Sequence, residues 1–177
     1  AALISRKVGA PVKLQWKRED DMAFDYFRAP TYYRLQGAVA QDGQLTGWKN
    51  LLAAASADGK KANYGASYRP FDFPGKVIKN VLIEQSFVPS QTPTGAWRAP
   101  ISNVYAFAEQ SFIAELAHAA GQDHETFLLN AIGHQGHIKE DDPASLNTKR
   151  AHAVITAATR AAGWGRELKE GRGLGLA

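Results

Sequence analysis

Alternating apolar and polar positions predict strands in the first half of the chain. Val12, Leu14 and Trp16 alternate with polar residues, so we expect a half-buried strand that follows a turn at residues 9–11. The charged residues 17–21 come next and predict a solvated turn.

The clearest hairpin follows this segment. Residues 32–40 predict one strand and residues 45–54 its return strand, and the dipeptide at 42–43 is Asp-Gly, which favours a tight turn. One side of the first strand carries Tyr33, Leu35, Gly37 and Val39. After a long loop over 56–75, a further strand is expected within residues 77–88.

The second half of the chain predicts helices. Residues 101–120 form the strongest candidate, with one expected apolar face at Val104, Ala108, Phe112, Leu116 and Ala119. Asp123 is expected to cap a second helix that ends near residue 132. A third helix is expected from residue 144 or 147 to Ala162, where Gly163 stops it. Strands followed by helices predict an α+β fold.

Length and composition indicate a packed domain. The chain has 177 residues, of which 45% are hydrophobic and 21% charged, so a core is expected and disorder is not. The chain opens without Met, and residues 1–4 resemble the last turns of a helix; it ends within a Gly-rich run. We therefore expect residues 1–177 to be a single incomplete fragment of a domain. No apolar run reaches the ~18 residues that a membrane span needs.

Residue types exclude some classes of site. The chain has no Cys, so it holds no disulfide, thiolate metal site or iron–sulfur cluster of its own. His134 and His137 lie three apart, but only Glu140 offers a third ligand, and the pattern favours a polar surface loop; no metal site is predicted.

The net charge of +4 leaves two non-enzymatic alternatives open. One is a basic module that binds single-stranded nucleic acid, with Tyr32 and Tyr33 beside Arg28 and Arg34. The other is a structural interaction module. Basic residues are scattered along the chain rather than clustered, so no nucleic-acid partner is predicted.

The segment 92–100 joins a strand to the longest predicted helix and carries the candidate chemistry. Gly95 permits a close backbone approach, and Arg98 offers five donors in a rigid fork. A helix N-terminus adds partial positive charge and free N–H groups. The segment therefore suits an anion or an oxygen-bearing ligand, although an arginine that caps a nearby loop carbonyl is the alternative.

Four segments in the right order carry a family resemblance. Residues 12–22 fit V-x-x-x-W-x-R-E-D-D-M, residues 95–98 fit G-x-W-R, residues 111–117 read S-F-I-A-E-L-A, and residues 162–165 read A-G-W-G. Over essentially its whole length the chain resembles the large, cofactor-binding subunit of molybdenum hydroxylases. The most similar branch contains isoquinoline 1-oxidoreductase and related aldehyde dehydrogenases.

This resemblance implies a fold, a cofactor and partners. The fold would be part of the molybdenum-cofactor-binding domain, and the cofactor would be molybdenum on molybdopterin cytosine dinucleotide. The reaction would hydroxylate a carbon of an N-heteroaromatic substrate or oxidise an aldehyde, with oxygen from water. Electrons would pass to a small iron–sulfur subunit. The resemblance favours the bacterial periplasm over the cytoplasm without fixing either.

The resemblance also assigns residues. Arg98 would lie beside the molybdenum centre, where a fixed guanidinium stabilises developing negative charge. Gly95 and Ala96 would form the cofactor loop, and Trp97 an aromatic wall of the substrate pocket.

Two departures from the family pattern matter. Residues 99–100 are Ala-Pro where xanthine-oxidising relatives are Gly-rich, which argues against purines, and residues 127–128 are Phe-Leu where many relatives have Phe-Arg.

Two hallmarks of the family are expected to lie outside this chain. The Gly-rich loop over the cofactor would precede residue 1, and the glutamate that acts as catalytic base would follow residue 177. We therefore expect the 177-residue chain by itself to be inactive.

Overall fold

The computed structural model describes residues 1–68, 73–96, 98–99 and 101–177, apart from the side chain of Val104. In chain order the elements are α1 (Ala2–Val8), α2 (Arg18–Phe24), β1 (Thr31–Val39), β2 (Leu45–Ser56), β3 (Asn80–Pro89), α3 (Ser102–Ala119), α4 (His124–Ile132) and α5 (Thr148–Ala162). The predicted α+β class is confirmed.

The sheet has the order β1-β2-β3, so β2 is its middle strand. β1 and β2 form the predicted antiparallel hairpin, with Tyr33 opposite Leu52. Gly43 has φ 80° in its turn, a left-handed conformation that glycine adopts without a Cβ clash. β2 and β3 are parallel, which requires the crossover over residues 57–79. The pattern predicted β3 as a strand but gave no information on its direction.

One face of the sheet holds the hydrophobic core, in two clusters. The first cluster contains Trp48, Ile78, Ile113, Leu116, Ala117, Phe127, Leu128 and Ile132. The second contains Ala29, Leu52, Ala54, Ala66, Ile101 and Tyr105. β2 and the segment from Ile101 through α3 contribute to both clusters. The other face leaves Tyr32, Leu51, Leu82 and Val88 exposed.

The buried face of α3 differs from the predicted one. Leu116 is buried as expected, but Ala119 is exposed, and the side chain of Val104 lies outside the described part. Further buried side chains on α3 are Tyr105, Glu109, Ile113 and Ala117. The helix carries apolar residues around much of its circumference, so spacing alone did not determine which side packs on the sheet.

The strand predicted around Val12, Leu14 and Trp16 does not form. Residues 11–17 are irregular, and Leu14 and Trp16 are 53% and 47% exposed. A strand needs a neighbouring backbone to complete its hydrogen bonds, and none of the described residues pairs with this segment.

Residues 17–21 are not the predicted turn, since they enter α2. The Asp20 carboxylate accepts a hydrogen bond from the Lys17 N–H at 3.0 Å. Glu19, Asp20 and Asp21 lie in the first turn of the helix, where negative charge interacts favourably with the helix dipole. The charge run is therefore a helix start, and its side chains remain largely in solvent.

The predicted cap of α4 at Asp123 and the predicted end of α5 at Gly163 are confirmed. Asp123 accepts a hydrogen bond from the Thr126 N–H at 3.1 Å, and Asn147 accepts one from the Arg150 N–H at 3.0 Å. Gly163 ends α5 with φ 65°. In the described part of the chain, no helix combines the length and apolar character needed to cross a membrane.

Asp123 gives a test of this helical layer. Its Oδ2 also accepts a hydrogen bond from the Trp164 indole Nε1 at 2.8 Å, which links the start of α4 to the residues after α5. Asp123→Ala should therefore lower the free energy of unfolding by about 1–2 kcal/mol, measured by urea denaturation near neutral pH. Asp141→Ala is the control, because Asp141 is exposed and lies outside any helix.

The loss of stability in Asp123→Ala should depend on pH. Burial acts to raise the pKa of Asp123, but the hydrogen bonds from Thr126 and Trp164 outweigh it, so the folded pKa lies below the ordinary 3.8. The ionised carboxylate thus stabilises the fold above pH 3.8, and this contribution is lost as the pH falls through the lower folded pKa. A difference between wild type and variant that stays constant through this range would contradict the assignment.

Candidate functional site

The candidate loop, residues 90–101 between β3 and α3, lies against the segment that precedes β1. The Phe27 N–H donates to the Pro93 carbonyl at 3.0 Å, and the Gly95 N–H donates to the Phe27 carbonyl at 3.1 Å. Phe27 and Thr94 therefore form a short parallel bridge. On its other side, the loop receives a hydrogen bond from Asn63 Nδ2 to Thr94 Oγ1 at 2.8 Å. The loop is thus held from two directions.

Gly95 is required by packing at this bridge. A Cβ at position 95 would lie 2.8 Å from Tyr26 Cβ and 2.9 Å from Tyr26 Cγ, closer than real contacts allow. The side of Gly95 on which a side chain would project therefore faces Tyr26. Ala96, the next residue, is exposed. The structure thus gives Gly95 a packing reason, and cofactor binding by Gly95 and Ala96 stays a prediction.

Arg98 presents its guanidinium to solvent. The residue is exposed, and its side chain makes no hydrogen bond or ion pair with any described residue. The expected alternative, in which this guanidinium caps a nearby loop carbonyl, is therefore not found within the described part. Exposure also agrees with the structural-module alternative, so this observation does not separate the two. Trp97, predicted to form the wall of a substrate pocket, lies outside the described residues.

The main chain of Arg98 is tied to a residue that the sequence analysis missed. Asn103, in the first turn of α3, donates from Nδ2 to the Arg98 carbonyl at 3.2 Å. Its Oδ1 accepts from Arg28 Nη1 at 2.6 Å. Ala99 lies between Arg98 and Asn103 in the chain and has φ 50°, a left-handed conformation that L-residues other than Asn and Asp rarely adopt. The sequence held one signal for the role of Asn103. An Asn just beyond a candidate loop can form hydrogen bonds to the nearby backbone through its side-chain amide.

Two open cavities flank the loop. One, of 320 Å³, is lined by Tyr26, Asn63, Tyr64 and residues 90–94 together with Ala57. The other, of 490 Å³, is lined by Arg28, Thr31, Tyr32, Tyr33, Leu35, Asn103, Phe107 and Ala108. Arg98 lines neither of them. Loop residues therefore line the first cavity, whereas β1, α3 and Arg28 line the second.

Tyr105 of α3 packs against aromatic side chains from β1 and from the crossover that follows β2. The ring of Tyr105 meets those of Tyr33 and Tyr68 edge-on, at centroid distances of 5.8 and 5.2 Å. Burial raises the pKa of Tyr33, and the Glu109 carboxylate raises it further. Tyr33 thus packs towards the core while Tyr32 is 69% exposed, so the two rings do not form one stacking surface for nucleic-acid bases.

The histidines are described throughout and do not converge on a metal site. The rings of His134 and His152 meet edge-on at a centroid distance of 5.1 Å. His137 Nδ1 lies 3.2 Å from the Ser145 carbonyl. Among the described residues, no three His, Cys, Asp or Glu side chains are grouped so that they could hold a metal ion.

The exposed groups of the loop fit a cofactor that carries oxygen atoms or negative charge. The Arg98 guanidinium is positively charged, and none of its N–H groups donates a hydrogen bond to a described residue. The loop is fixed at Phe27, Asn63 and Asn103, so these donors start from a defined backbone position. No acidic side chain of the described residues forms an ion pair with Arg98.

Comparison with known proteins places this loop in a family context. The family model for the molybdopterin cofactor-binding domain matches residues 1–130. The chain is also 28% identical over 200 aligned residues to a protein named membrane-bound aldehyde dehydrogenase [pyrroloquinoline-quinone], from Gluconacetobacter polyoxogenes. That alignment covers all of this chain and 25% of the relative, so the chain spans about a quarter of the relative's length. The matched residues include β1–β3, the loop and α3, and the chain therefore belongs to the molybdopterin cofactor-binding domain family.

Proposed function

We propose that this chain forms part of a molybdenum-dependent oxidoreductase that oxidises an aldehyde. The observation that carries the proposal is that residues 1–130, which include the anchored loop with Arg98, match the molybdopterin cofactor-binding domain. The name of the Gluconacetobacter polyoxogenes relative supports an aldehyde as substrate. The resemblance to isoquinoline 1-oxidoreductase supports an N-heteroaromatic substrate as the second candidate.

In this proposal Arg98 acts on the substrate by charge. The cofactor, when bound, supplies the oxidation of the substrate carbon. The guanidinium of Arg98 donates hydrogen bonds to the substrate oxygen and stabilises negative charge that develops there. Because its donors are not occupied by described residues, no internal bond has to break before substrate binds.

The finer assignments follow from the same resemblance. We propose molybdopterin cytosine dinucleotide as the cofactor form, a small iron–sulfur subunit as electron acceptor, and the bacterial periplasm as location. The name of the relative specifies pyrroloquinoline-quinone for that protein. We propose molybdenum for this chain because the matched family is defined by molybdopterin binding.

Cofactor analysis tests this proposal directly. The complete oxidoreductase subunit that contains this chain would be purified with any associated subunits from a host that makes the molybdenum cofactor, then analysed for molybdenum, released cytosine nucleotide and pyrroloquinoline quinone. Molybdenum near one per chain, with cytosine nucleotide, supports the proposal. Pyrroloquinoline quinone in the absence of molybdenum, or the absence of both, would overturn it.

Substitution of Arg98 tests the role of its charge. In the molybdenum-loaded protein, Arg98→Ala should lower kcat/KM for an aldehyde by about 10²–10³-fold, because a charged donor to the developing oxyanion is lost. Arg98→Lys should recover only part of this loss, since lysine cannot offer the same forked donors. Arg34→Ala is the control, because Arg34 is an exposed arginine on β1. Equal rates for the two alanine variants would remove Arg98 from the mechanism.

Substitution of Gly95 tests whether the bridge sets the loop position. Gly95→Ala should reduce molybdenum content or kcat/KM by at least about tenfold, because the new methyl group would lie 2.8 Å from Tyr26 Cβ and displace the loop. Adding Tyr26→Gly removes the clashing atoms and should restore part of the loss. Gly173→Ala is the control, since a Cβ there would meet no atom within 4 Å. If the added Tyr26→Gly change gives no recovery, the clash does not explain the defect.

A further inference from the structure

We infer that Asn103 is a positioning residue for Arg98, with Arg28 as its anchor. The inference rests on the proposed function, in which Arg98 meets the substrate. Among the described residues of the loop, the Arg98 carbonyl is the hydrogen-bond partner of Asn103. Asn103 is therefore assigned to setting where the Arg98 backbone lies, not to contact with substrate.

The chemistry of the three groups fixes how Asn103 is oriented. A guanidinium only donates hydrogen bonds and a backbone carbonyl only accepts them. The amide oxygen must therefore face Arg28, at 2.6 Å, and the amide nitrogen must face the Arg98 carbonyl, at 3.2 Å. The reverse orientation would place donor against donor and acceptor against acceptor. No other amide orientation satisfies both partners.

The two hydrogen bonds reinforce each other. A cation at Oδ1 makes the contact charge-assisted and draws electron density from the amide. The Nδ2 hydrogens become more positive as a result, which strengthens donation to the Arg98 carbonyl. Arg28 lies just before β1 and Asn103 lies in α3, so the link joins the loop to two segments that are distant in the sequence.

The backbone next to Arg98 needs a contact that holds its conformation, and we call the hydrogen bond from Asn103 to the Arg98 carbonyl the tether. Ala99 has φ 50°, in the left-handed region that alanine rarely adopts, so surrounding contacts must hold it there. The Arg98 carbonyl belongs to the peptide unit that joins Arg98 to Ala99. A hydrogen bond to this oxygen fixes the plane of that peptide, and with it the direction in which the Arg98 side chain leaves the backbone.

Asn103→Asp separates the two halves of the link. Aspartate has the shape of asparagine and keeps an acceptor for Arg28, but it places a second acceptor against the Arg98 carbonyl. Asn103→Ala removes both bonds. Asn130→Asp is the matched control, since it introduces the same charge at an exposed position of α4.

Amide hydrogen exchange measures how firmly the tether holds the loop, and it requires neither cofactor nor substrate. In the purified protein, Asn103→Asp and Asn103→Ala should each speed amide exchange severalfold across residues 94–99. Amides in the centre of α3 should exchange as in wild type, and so should the whole protein in Asn130→Asp. Unchanged exchange in the loop of both Asn103 variants would overturn the inference, whether or not the protein proves to be an oxidoreductase.

Kinetics then show whether the tether acts through Arg98. With molybdenum content equal to wild type, Asn103→Asp should lower kcat/KM for an aldehyde by about tenfold or more, mostly through kcat. In an Arg98→Ala background the same change should have little further effect, because the group that it positions is gone. Equal losses in both backgrounds would assign Asn103 a purely structural role and overturn the inference. Absence of molybdenum with faster loop exchange would instead reject the proposed function alone.

Discussion

The packing of α3 against the sheet is the contact on which the rest of the fold depends. β2 is hydrogen-bonded on both edges, so its buried side chains lie at the centre of the sheet. Trp48 on this strand belongs to one core cluster and Leu52 to the other. α3 spans the same two clusters through Ile113 and Tyr105. Each cluster therefore needs both elements, and neither could form from the sheet or the helices alone.

The position of the candidate site follows from this contact. The loop over residues 90–101 runs from the end of β3 to the start of α3, so the packing of the sheet and the helix fixes both of its ends. Residues 26–28 then fix its middle, through the bridge of Phe27 with Thr94. In its described residues the loop is irregular in conformation, yet backbone groups of Pro93, Gly95 and Arg98 are hydrogen-bonded. Such a loop can present an exposed side chain from a defined position.

Local sequence signals predicted those parts of the structure that depend on local interactions. The Asp-Gly turn, the cap at Asp123 and the stop at Gly163 each involve residues within one turn of each other, and all three are found. The strand predicted at Val12 and Trp16 failed because a strand depends on a partner elsewhere in the chain. The parallel direction of β3 was likewise not readable, since no local residue encodes it.

The candidate site divides in the same way. Arg98 and Gly95 could be singled out from their residue types in one short segment. Arg28 and Asn103 could not, because their hydrogen bond joins residues that are 75 apart in the sequence. Tyr26 belongs to the same group, since only the folded chain brings it against Gly95. The residues that offer chemistry were thus visible in the sequence, and those that hold them in place were not.

The mixed sheet also determines an order of assembly. β1 and β2 are joined by the short turn at residues 40–44, and their ends meet at little entropic cost. β3 pairs with β2 only across the crossover over residues 57–79, and we expect this longer closure to be the slower step. We therefore expect the hairpin to form first and to offer the open edge of β2 as a template for β3. The candidate loop follows β3 directly, so it reaches its final position only when this last strand has paired.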